Sequence, residues 1–282
     1  MSERLLAVFL AAPLALAAES PGRLNLWPGP PPAETLRLAP GADPRGKAAG
    51  GRRTDVFLPD LEPFPAAKPA SPLVLVFPGG GYNLLAEEHE GAGVARRFQS
   101  LGCAAVVVRY RVPRRDPDRP WQVPLMDARR ALALCREHAA DWNGNPGRII
   151  AVGFSAGGNL VARLAYQPSA DAPRPDFAVM VYPAYLLRGD KPDGALVDGP
   201  EGLVPVAGSH PAPAFFVHSA DDPFPAAGSL RLAEAIRAAG GLVETHVYPT
   251  GGHGWGVTGS CPASREWPEL VVAWLRGQDV RR

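Results

Sequence analysis

The chain has 282 residues, 46% of them hydrophobic, which is enough apolar sequence for one α/β domain with a sizeable core. Charge is balanced, with 29 Lys and Arg against 28 Asp and Glu, and no long basic run gives electrostatic support to nucleic-acid binding. The three cysteines, Cys103, Cys135 and Cys261, have spacings that match no metal pattern, so neither a metal nor a cofactor is expected.

The first 18 residues predict a secretory signal peptide. A basic residue in "MSER" precedes the apolar "LLAVFLAAPLALAA", and small residues near Ala17 and Ala18 offer a cleavage site. The apolar run is short and alanine-rich for a membrane span, with an uncleaved anchor as the alternative. We therefore expect a secreted or periplasmic protein without stable membrane insertion. The sequence leaves its oligomeric state open.

A Pro-, Gly- and Ala-rich stretch over residues 19–50 predicts an extended lead-in that lies over the main domain, residues 51–282. In that domain strands and helices alternate, with a turn predicted at 143–147. Strands are predicted at 53–59, 72–78, 103–110, 148–154, 177–183, 213–219 and 242–249, and helices at 90–102, 124–142, 158–166, 228–241 and 265–277. This alternation predicts an α/β fold with a mostly parallel central sheet covered by helices on both faces.

The polar, turn-rich segment 184–213 interrupts the alternation of strands and helices. A loop of this length inside an α/β domain is typical of a lid or a binding loop, although a plain surface excursion is the alternative. We expect a short polar lid loop here.

A lone serine, Ser155, stands where the apolar strand "RIIAVGF" gives way to the helix "GNLVARLAY". Gly153 and Gly157 flank it in the pattern G-x-S-x-G. A sharp strand-to-helix turn with this pattern is the nucleophile elbow of α/β-hydrolases, in which the residues two before and two after the serine crowd each other. Glycine at both positions removes that crowding. A plain helix N-cap is the alternative reading of the serine.

A serine nucleophile needs a base, and His253 is the candidate among six histidines. It follows the last predicted strand in the glycine-rich "PTGGHGWG", where a loop can carry it over the serine. His138 lies within a helix pattern and His218 and His246 belong to strand patterns, so we interpret them as structural. A solvated histidine in a glycine-rich turn is the alternative for His253.

The acid that orients the histidine is expected on a loop after a strand, between the serine and the histidine in chain order. "AFFVHSADDPFP" offers Asp221 and Asp222. Asp221 keeps the spacing common in hydrolases, an apolar residue three positions later (Phe224) and then Pro225. We therefore predict the triad Ser155, Asp221 and His253, and interpret Asp222 as a turn residue.

The negative charge that forms on an ester oxygen needs fixed backbone N–H donors. Ala156 follows the serine, and Gly80 and Gly81 lie in "FPGGGYN" at the end of an earlier strand, where hydrolases carry an HGGG-type loop. These three residues are the predicted oxyanion hole. Pro78 replaces the histidine that begins such a loop.

The motifs together resemble bacterial secreted α/β-hydrolases of the acetyl-xylan and feruloyl-type carbohydrate esterase group. The resemblance runs over nearly the whole mature chain and is carried by "LWPGPPP", "LVLVFPGGGYNLLAEEHEG", "WNGNPGRIIAVGFSAGGNL", "VYPAY", "HSADDPFPAAGSL" and "YPTGGHGWG". It implies the α/β-hydrolase fold, a catalytic domain over 51–282, and a serine esterase that removes short acyl groups from plant polysaccharide such as xylan. A feruloyl esterase and a general short-chain carboxylesterase are the alternatives.

Other functions weighed from the sequence fit less well. A prolyl-oligopeptidase-type peptidase would need a large extra domain, and a dienelactone hydrolase would carry Cys at position 155. A catalytically silent carbohydrate-binding relative would be expected to lack a triad member. The expected partner is an acylated carbohydrate or small ester, and we place Tyr82, Asn83 and Trp255 beside it, with Trp255 packing under its own loop as the alternative.

Overall fold

The computed structural model describes residues 22–167, 173–198 and 202–279. The signal peptide predicted at residues 1–18 lies outside the described residues. Within those three ranges, no helix is both long enough and apolar enough to cross a bilayer.

The described residues form ten strands and five α-helices. The strands are β1 Leu24–Asn25, β2 Lys47–Ala49, β3 Arg52–Thr54, β4 Asp60–Phe64, β5 Ser71–Phe77, β6 Ala104–Arg109, β7 Gly144–Phe154, β8 Phe177–Val181, β9 Ala214–Ser219 and β10 Val243–Tyr248. The helices are α1 Gly93–Ser100, α2 Gln122–His138, α3 Ala156–Tyr166, α4 Ala226–Ala238 and α5 Pro262–Asp279. A π-helical turn, Glu88–Ala92, precedes α1, and a 3₁₀ turn, Ala139–Trp142, follows α2.

Eight of the described strands form one sheet in the order β1-β4-β6-β5-β7-β8-β9-β10. From β6 to β10 every neighbouring pair is parallel, whereas β4 runs antiparallel to β6 and β1 antiparallel to β4. The predicted mostly parallel sheet is therefore confirmed. Its parallel arrangement brings the carboxyl ends of β5, β7, β8, β9 and β10 to one edge, where the predicted site residues follow the strands.

The core lies on both faces of the sheet, because the central strands are apolar throughout and not alternating. In β5, successive residues point to opposite faces. Leu73, Leu75 and Phe77 join the core cluster that contains the inner faces of α2, α3 and α4. Val74 and Val76 join the cluster that contains those of α1 and α5. Helices thus cover both faces, as the sequence predicts.

Two local predictions are wrong. No strand spans 53–59, because Asp55 takes a positive φ of 57° and the backbone N–H groups of Phe57 and Leu58 donate to the carbonyl of Pro44. The strand beside β6 is β4, further along the chain. Of the turn predicted at 143–147, only Asn143 is a turn, with φ 59°, and residues 144–147 belong to β7, whose pairing with β5 shifts register at its beginning.

The predicted lead-in, of which the structure describes residues 22–50, contacts the following domain at Leu26 and Trp27. Leu26 is fully buried and its N–H donates to the carbonyl of Pro59 at 3.0 Å. The indole N–H of Trp27 donates to Asp127 at 2.9 Å. Asp127 is itself fully buried and pairs with Arg111 at 2.8 Å, so the lead-in is tied to an ion pair in the core.

Candidate active site

Ser155 lies in the sharp turn between β7 and α3, with φ 50° and ψ −117°. A non-glycine residue in this region is strained and persists only where its surroundings hold it. Here the Ser155 N–H donates to the carbonyl of Val181 at 3.1 Å, and its own carbonyl accepts from the N–H groups of Asn159 and Ala184 at 3.1 Å each. The backbone therefore fixes the serine at the carboxyl edge of the sheet.

The two flanking glycines leave room for this turn, though not entirely for the predicted reason. A Cβ on Gly153 would lie 2.1 Å from the carbonyl oxygen of Gly157, as the crowding argument predicts. A Cβ on Gly157 would instead lie 2.1 Å from the carbonyl oxygen of Phe77, at the end of β5. The second glycine thus lets the elbow pack against the neighbouring strand.

A hydrogen-bonded chain runs from the serine through a histidine to a buried carboxylate. The Nε2 atom of His253 lies 2.9 Å from Ser155 Oγ, and its Nδ1 atom lies 2.7 Å from Asp222 Oδ2. An ionised carboxylate only accepts, so Nδ1 carries the proton and Nε2 is free to accept one from the serine hydroxyl. The structure brings together Ser155 and His253, 98 residues apart in sequence.

The third member of this chain is Asp222, which corrects the predicted choice of Asp221. Asp222 is buried, whereas Asp221 is exposed. Asp221 accepts hydrogen bonds from the backbone N–H groups of Gly252 at 2.8 Å and Gly251 at 3.3 Å, on the loop that leads to His253. Asp222 thus contacts the imidazole of His253, and Asp221 holds the loop that carries His253.

The environment of Asp222 favours its charged form. Burial alone would raise the pKa of this carboxyl, but hydrogen bonds from His218 and His253, the charge of His253, and the N–H of Phe224 together hold the pKa below its ordinary value. His218 is fully buried, with Nε2 3.0 Å from the carbonyl oxygen of Phe224 and Nδ1 2.8 Å from Ser229 Oγ. A carbonyl can only accept, so Nε2 bears the proton and faces Asp222.

The predicted oxyanion donors lie around the serine. Ala156 is the first residue of α3, so its N–H has no partner within the helix. Gly80 and Gly81 line the same cavity as Ser155, and in the described part of the chain neither N–H has a hydrogen-bond partner. Gly80 adopts φ 129°, and a Cβ there would lie 2.1 Å from the carbonyl oxygen of Leu84, so the loop requires glycine.

Ser155 and His253 open onto a cavity of about 470 Å³. Its apolar lining comes from the short side chains Leu84 and Ala86 and from the rings of Tyr185 and Phe224. Tyr185 belongs to the segment 184–213, so this predicted lid loop supplies a wall of the cavity. A second cavity, of about 530 Å³, shares Gly81 and Tyr185 with the first.

Of the three residues placed beside the substrate by sequence, none lines the cavity that holds Ser155, and Tyr82 lines the second cavity. Trp255 is only 5% exposed; its indole N–H donates to Ser219 Oγ at 3.2 Å, and its ring packs against that of Tyr182. Tyr82 is buried and donates to Asn159 at 2.8 Å, lining only the second cavity. Asn83 is exposed, lines neither cavity, and accepts a hydrogen bond from Arg114. Trp255 therefore packs under its own loop.

With this geometry in place, comparison with known proteins decides the fold class. A family model described as an alpha/beta hydrolase fold matches residues 74–201. The solved structure of an acetyl ester-xyloside bifunctional hydrolase from Caldicellulosiruptor lactoaceticus matches with a TM-score of 0.69 and 29% identity, over 94% of this chain and 99% of that chain. The chain has the α/β-hydrolase fold.

Two sequence relatives are esterases. An acetylxylan esterase from Xylanibacter ruminicola is 29% identical over 219 residues, covering 71% of this chain and 43% of that protein. Esterase LipQ from Mycobacterium tuberculosis is 27% identical over 267 residues, covering 84% of this chain and 62% of that protein. The chain spans less than two thirds of the length of either relative.

Two buried residues at the candidate site were missed by sequence reasoning. Glu90 lines the active-site cavity at 2% exposure, and Tyr182 contacts its carboxylate and the ring of His253. Glu90 stands in "AEEHEG" among glutamates of ordinary helical appearance, so composition gives no sign that it is buried. The one available signal for Tyr182 is its position directly after β8, at the edge where the site residues collect.

Proposed function

We propose that this protein is a serine esterase that hydrolyses short acyl esters of carbohydrate through an acyl-enzyme, and that it is exported. The observation that carries the proposal is the hydrogen-bonded chain Ser155–His253–Asp222, beside the backbone N–H groups of Gly80 and Gly81, which have no partner among the residues that the structure describes. Nucleophile, base and the oxyanion donors Gly80 and Gly81 then face one cavity, and the orienting acid is buried behind the base.

The reaction proceeds in two halves. Ser155 Oγ attacks the ester carbonyl carbon as His253 Nε2 takes its proton, and the carbonyl oxygen becomes an oxyanion that accepts from the N–H groups of Gly80, Gly81 and Ala156. The imidazolium, stabilised by Asp222, returns the proton to the departing alcohol, which leaves an acylated serine. Water, deprotonated by His253, then attacks the acyl carbon and releases the acid and free Ser155.

The active-site cavity supports a preference for short acyl groups. The apolar wall is limited to Leu84, Ala86 and the two rings of Tyr185 and Phe224. Charged or polar residues, among them Arg52, His89 and Glu90, line much of the rest. Trp255, which the sequence placed beside the substrate, is buried and adds no surface to this cavity. An acyl chain longer than a few carbons would leave methylene groups in contact with water or charge.

We predict that kcat/KM in a series of p-nitrophenyl esters falls from acetate to butyrate to octanoate. Each methylene that finds no apolar contact forgoes about 0.8 kcal/mol of binding energy, so it gives no gain to offset its steric cost. The measurement is the initial rate over the series at matched concentrations. A rate that rises steadily to eight carbons would contradict the short-chain preference and favour a general carboxylesterase or lipase.

The second cavity supports a carbohydrate as the alcohol part of the ester. It is lined by charged side chains able to bond sugar hydroxyls, among them Arg114, Arg119, Arg163, Arg188, Asp190 and Asp198. Because it meets the first cavity at Gly81, an alcohol that extends from a carbonyl held at the oxyanion donors can reach it. The acetylxylan esterase relative and the acetyl ester-xyloside hydrolase structure agree with such a substrate.

We predict that Arg188→Ala raises KM for an acetylated xylo-oligosaccharide about tenfold and leaves kcat/KM for p-nitrophenyl acetate unchanged. Loss of one hydrogen bond from a charged donor costs about 1.4 kcal/mol, which is a factor of about ten. Arg188 is exposed at the second cavity, and Arg237→Ala, an exposed arginine of α4 lining neither cavity, is the matched control. Equal KM values for the two variants would remove the second cavity from substrate binding.

The substrate is decided by measuring acetate release from acetylated xylan and ferulate release from a feruloylated oligosaccharide side by side. Acetate release that exceeds ferulate release supports the proposal. Preferential ferulate release would identify a feruloyl esterase, and hydrolysis of p-nitrophenyl acetate with neither polymer would indicate a general short-chain carboxylesterase. Absence of all three activities would indicate a binding protein.

A further inference from the structure

A buried carboxylate joins the two loops that supply the oxyanion donors and the histidine. Glu90, on the π-helical turn before α1, is 2% exposed and lines the active-site cavity. Its Oε2 atom accepts from the backbone N–H of Gly79 at 2.8 Å, and Gly79 directly precedes the predicted donor Gly80. Its Oε1 atom accepts from the hydroxyl of Tyr182 at 2.8 Å.

Tyr182 continues this connection to the histidine loop. Its hydroxyl oxygen accepts from the backbone N–H of Gly256 at 2.7 Å, three residues after His253. The tyrosine ring also meets the imidazole of His253 edge-on, with 4.9 Å between ring centroids. Two hydrogen bonds to Glu90 and one to Tyr182 therefore connect the loop at residues 78–81 with the loop at residues 250–256.

The connection leaves little room for movement at the serine. A Cβ on Gly79 would lie 2.7 Å from Glu90 Oε2 and 2.8 Å from Ser155 Cβ, so the glycine backbone is held between the carboxylate and the nucleophile. A displacement of Glu90 would move Gly79, and with it the N–H of Gly80. Because oxyanion stabilisation depends on donors fixed within a few tenths of an ångström, such a displacement would reduce it.

We propose that Glu90, as a carboxylate, is a positioning residue. It holds the loop at residues 78–81, here called the oxyanion loop, and the loop at residues 250–256, which carries His253, at the separation that catalysis requires. This inference rests on the proposed esterase function. The carboxylate form fits the contacts, because two donors, the Gly79 N–H and the Tyr182 O–H, each find an acceptor oxygen on Glu90. A protonated Glu90 would bring a third proton to the same sites and leave one donor without an acceptor.

The groups that face Glu90 are Tyr182, Tyr110, His89 and His253. Burial is the main influence and raises the pKa of Glu90 above its ordinary value, although hydrogen bonds from Tyr182 and Gly79 and the charges of His89 and His253 partly oppose it. His89 Nε2 lies 3.9 Å from Oε1. Since the ionised form is the supporting one, activity should fall as the pH drops through this raised pKa.

The test compares Glu90→Gln and Tyr182→Phe with the wild type. Glutamine keeps one acceptor oxygen for Gly79 but turns an NH₂ donor toward Tyr182, and phenylalanine keeps the ring beside His253 but loses the hydroxyl. We expect either variant to lower kcat for p-nitrophenyl acetate about 10- to 100-fold with KM changed less than about threefold. The affinity for a trifluoromethyl ketone, which forms a tetrahedral adduct with serine, should fall by the same factor as kcat/KM.

A matched control is Tyr166→Phe, which also removes a partly buried tyrosine hydrogen bond, from Tyr166 to the carbonyl of Ala212 at 3.2 Å, away from the site. It should lower the Tm to a similar extent and leave kcat unchanged. The double variant Glu90→Gln/Tyr182→Phe should lose little more activity than either single variant, because both interrupt one connection. If Glu90→Gln is not recovered folded, Tyr182→Phe and the wild-type pH profile decide the question.

Wild-type kcat per folded molecule in Glu90→Gln and Tyr182→Phe, with a lower Tm alone, would overturn the positioning role and make Glu90 merely structural. Failure of the esterase proposal gives a different result, namely that Ser155→Ala retains activity or that the wild type hydrolyses no ester. The pH profile gives a further test. If activity falls at low pH in Glu90→Gln in the same way as in the wild type, the ionised carboxylate of Glu90 has no role in positioning.

Discussion

Ser155→Ala should abolish esterase turnover, with kcat for p-nitrophenyl acetate lowered on the order of 10⁶-fold and the fold intact. The methyl group cannot form the acyl-enzyme, and His253 Nε2, which lies 2.9 Å from Oγ in the wild type, then has no hydroxyl to deprotonate. Oxyanion donors and cavity remain, so a small residual rate above water is expected. The measurement is the steady-state rate at pH 7 to 8.

The control for this variant is covalent labelling. A fluorophosphonate should modify wild-type Ser155 in a one-to-one ratio, identified by mass spectrometry of the labelled peptide, and should not modify Ser155→Ala. The alanine variant should melt at a temperature close to that of the wild type, because alanine keeps the Cβ and the backbone conformation and removes one hydroxyl without creating a sizeable cavity. Retained activity, or labelling at another serine, would remove the proposed mechanism.

The fold could be predicted because the central strands have a distinctive amino-acid composition. Strands β5 to β9 are buried on both faces, so they form short continuous apolar runs that alternate with amphipathic helices. The edge of the sheet is harder. Residues 53–59 carry Val56, Phe57 and Leu58, yet these side chains lie in a loop around the lead-in, because Asp55 breaks the extended backbone and Pro44 provides the acceptor.

In the candidate site, too, some residues could be predicted from the sequence and others could not. Ser155 and the glycines of the oxyanion loop were predictable, because a strained turn and a close backbone approach permit few residue types, and glycine is a visible signal. Side-chain direction on a loop gives no such signal. Trp255 lies two residues after His253 but turns inward to Tyr182 and Ser219, and Glu90 has the sequence appearance of a solvated glutamate.

Choosing between adjacent aspartates fails for a related reason. The carboxylate that reaches His253 is selected by the turn after β9, in which the N–H of Asp222 bonds back to the carbonyl of Ser219 and the Asp222 side chain accepts from Phe224 N–H at 2.7 Å. This turn directs Asp222 inward and Asp221 outward. Spacing to a later proline does not encode that direction, since both residues precede the same Pro-Phe-Pro sequence.

Asp222→Asn should lower kcat about 10⁴-fold, because the amide favours the wrong tautomer of His253. Asparagine presents an NH₂ donor where the carboxylate accepted from Nδ1 at 2.7 Å, and the imidazole responds by carrying its proton on Nε2. That nitrogen then cannot accept the Ser155 proton. The buried carboxylate that stabilised the imidazolium is also gone, so both the ground-state tautomer and the charged intermediate are less favourable. The measurement is kcat for p-nitrophenyl acetate, alongside the Tm.

The neighbouring substitution Asp221→Asn is the matched control, since it makes the same chemical change one residue away. Asp221 is exposed, and asparagine keeps an oxygen that accepts from the N–H of Gly252, so kcat should fall by less than about tenfold. If both variants melt near the wild-type temperature, their difference in rate measures the orienting role of the carboxylate directly. A greater loss of kcat in Asp221→Asn than in Asp222→Asn would contradict this assignment. It would mean that Asp221 orients His253 in solution and that the contact between His253 and Asp222 does not serve catalysis.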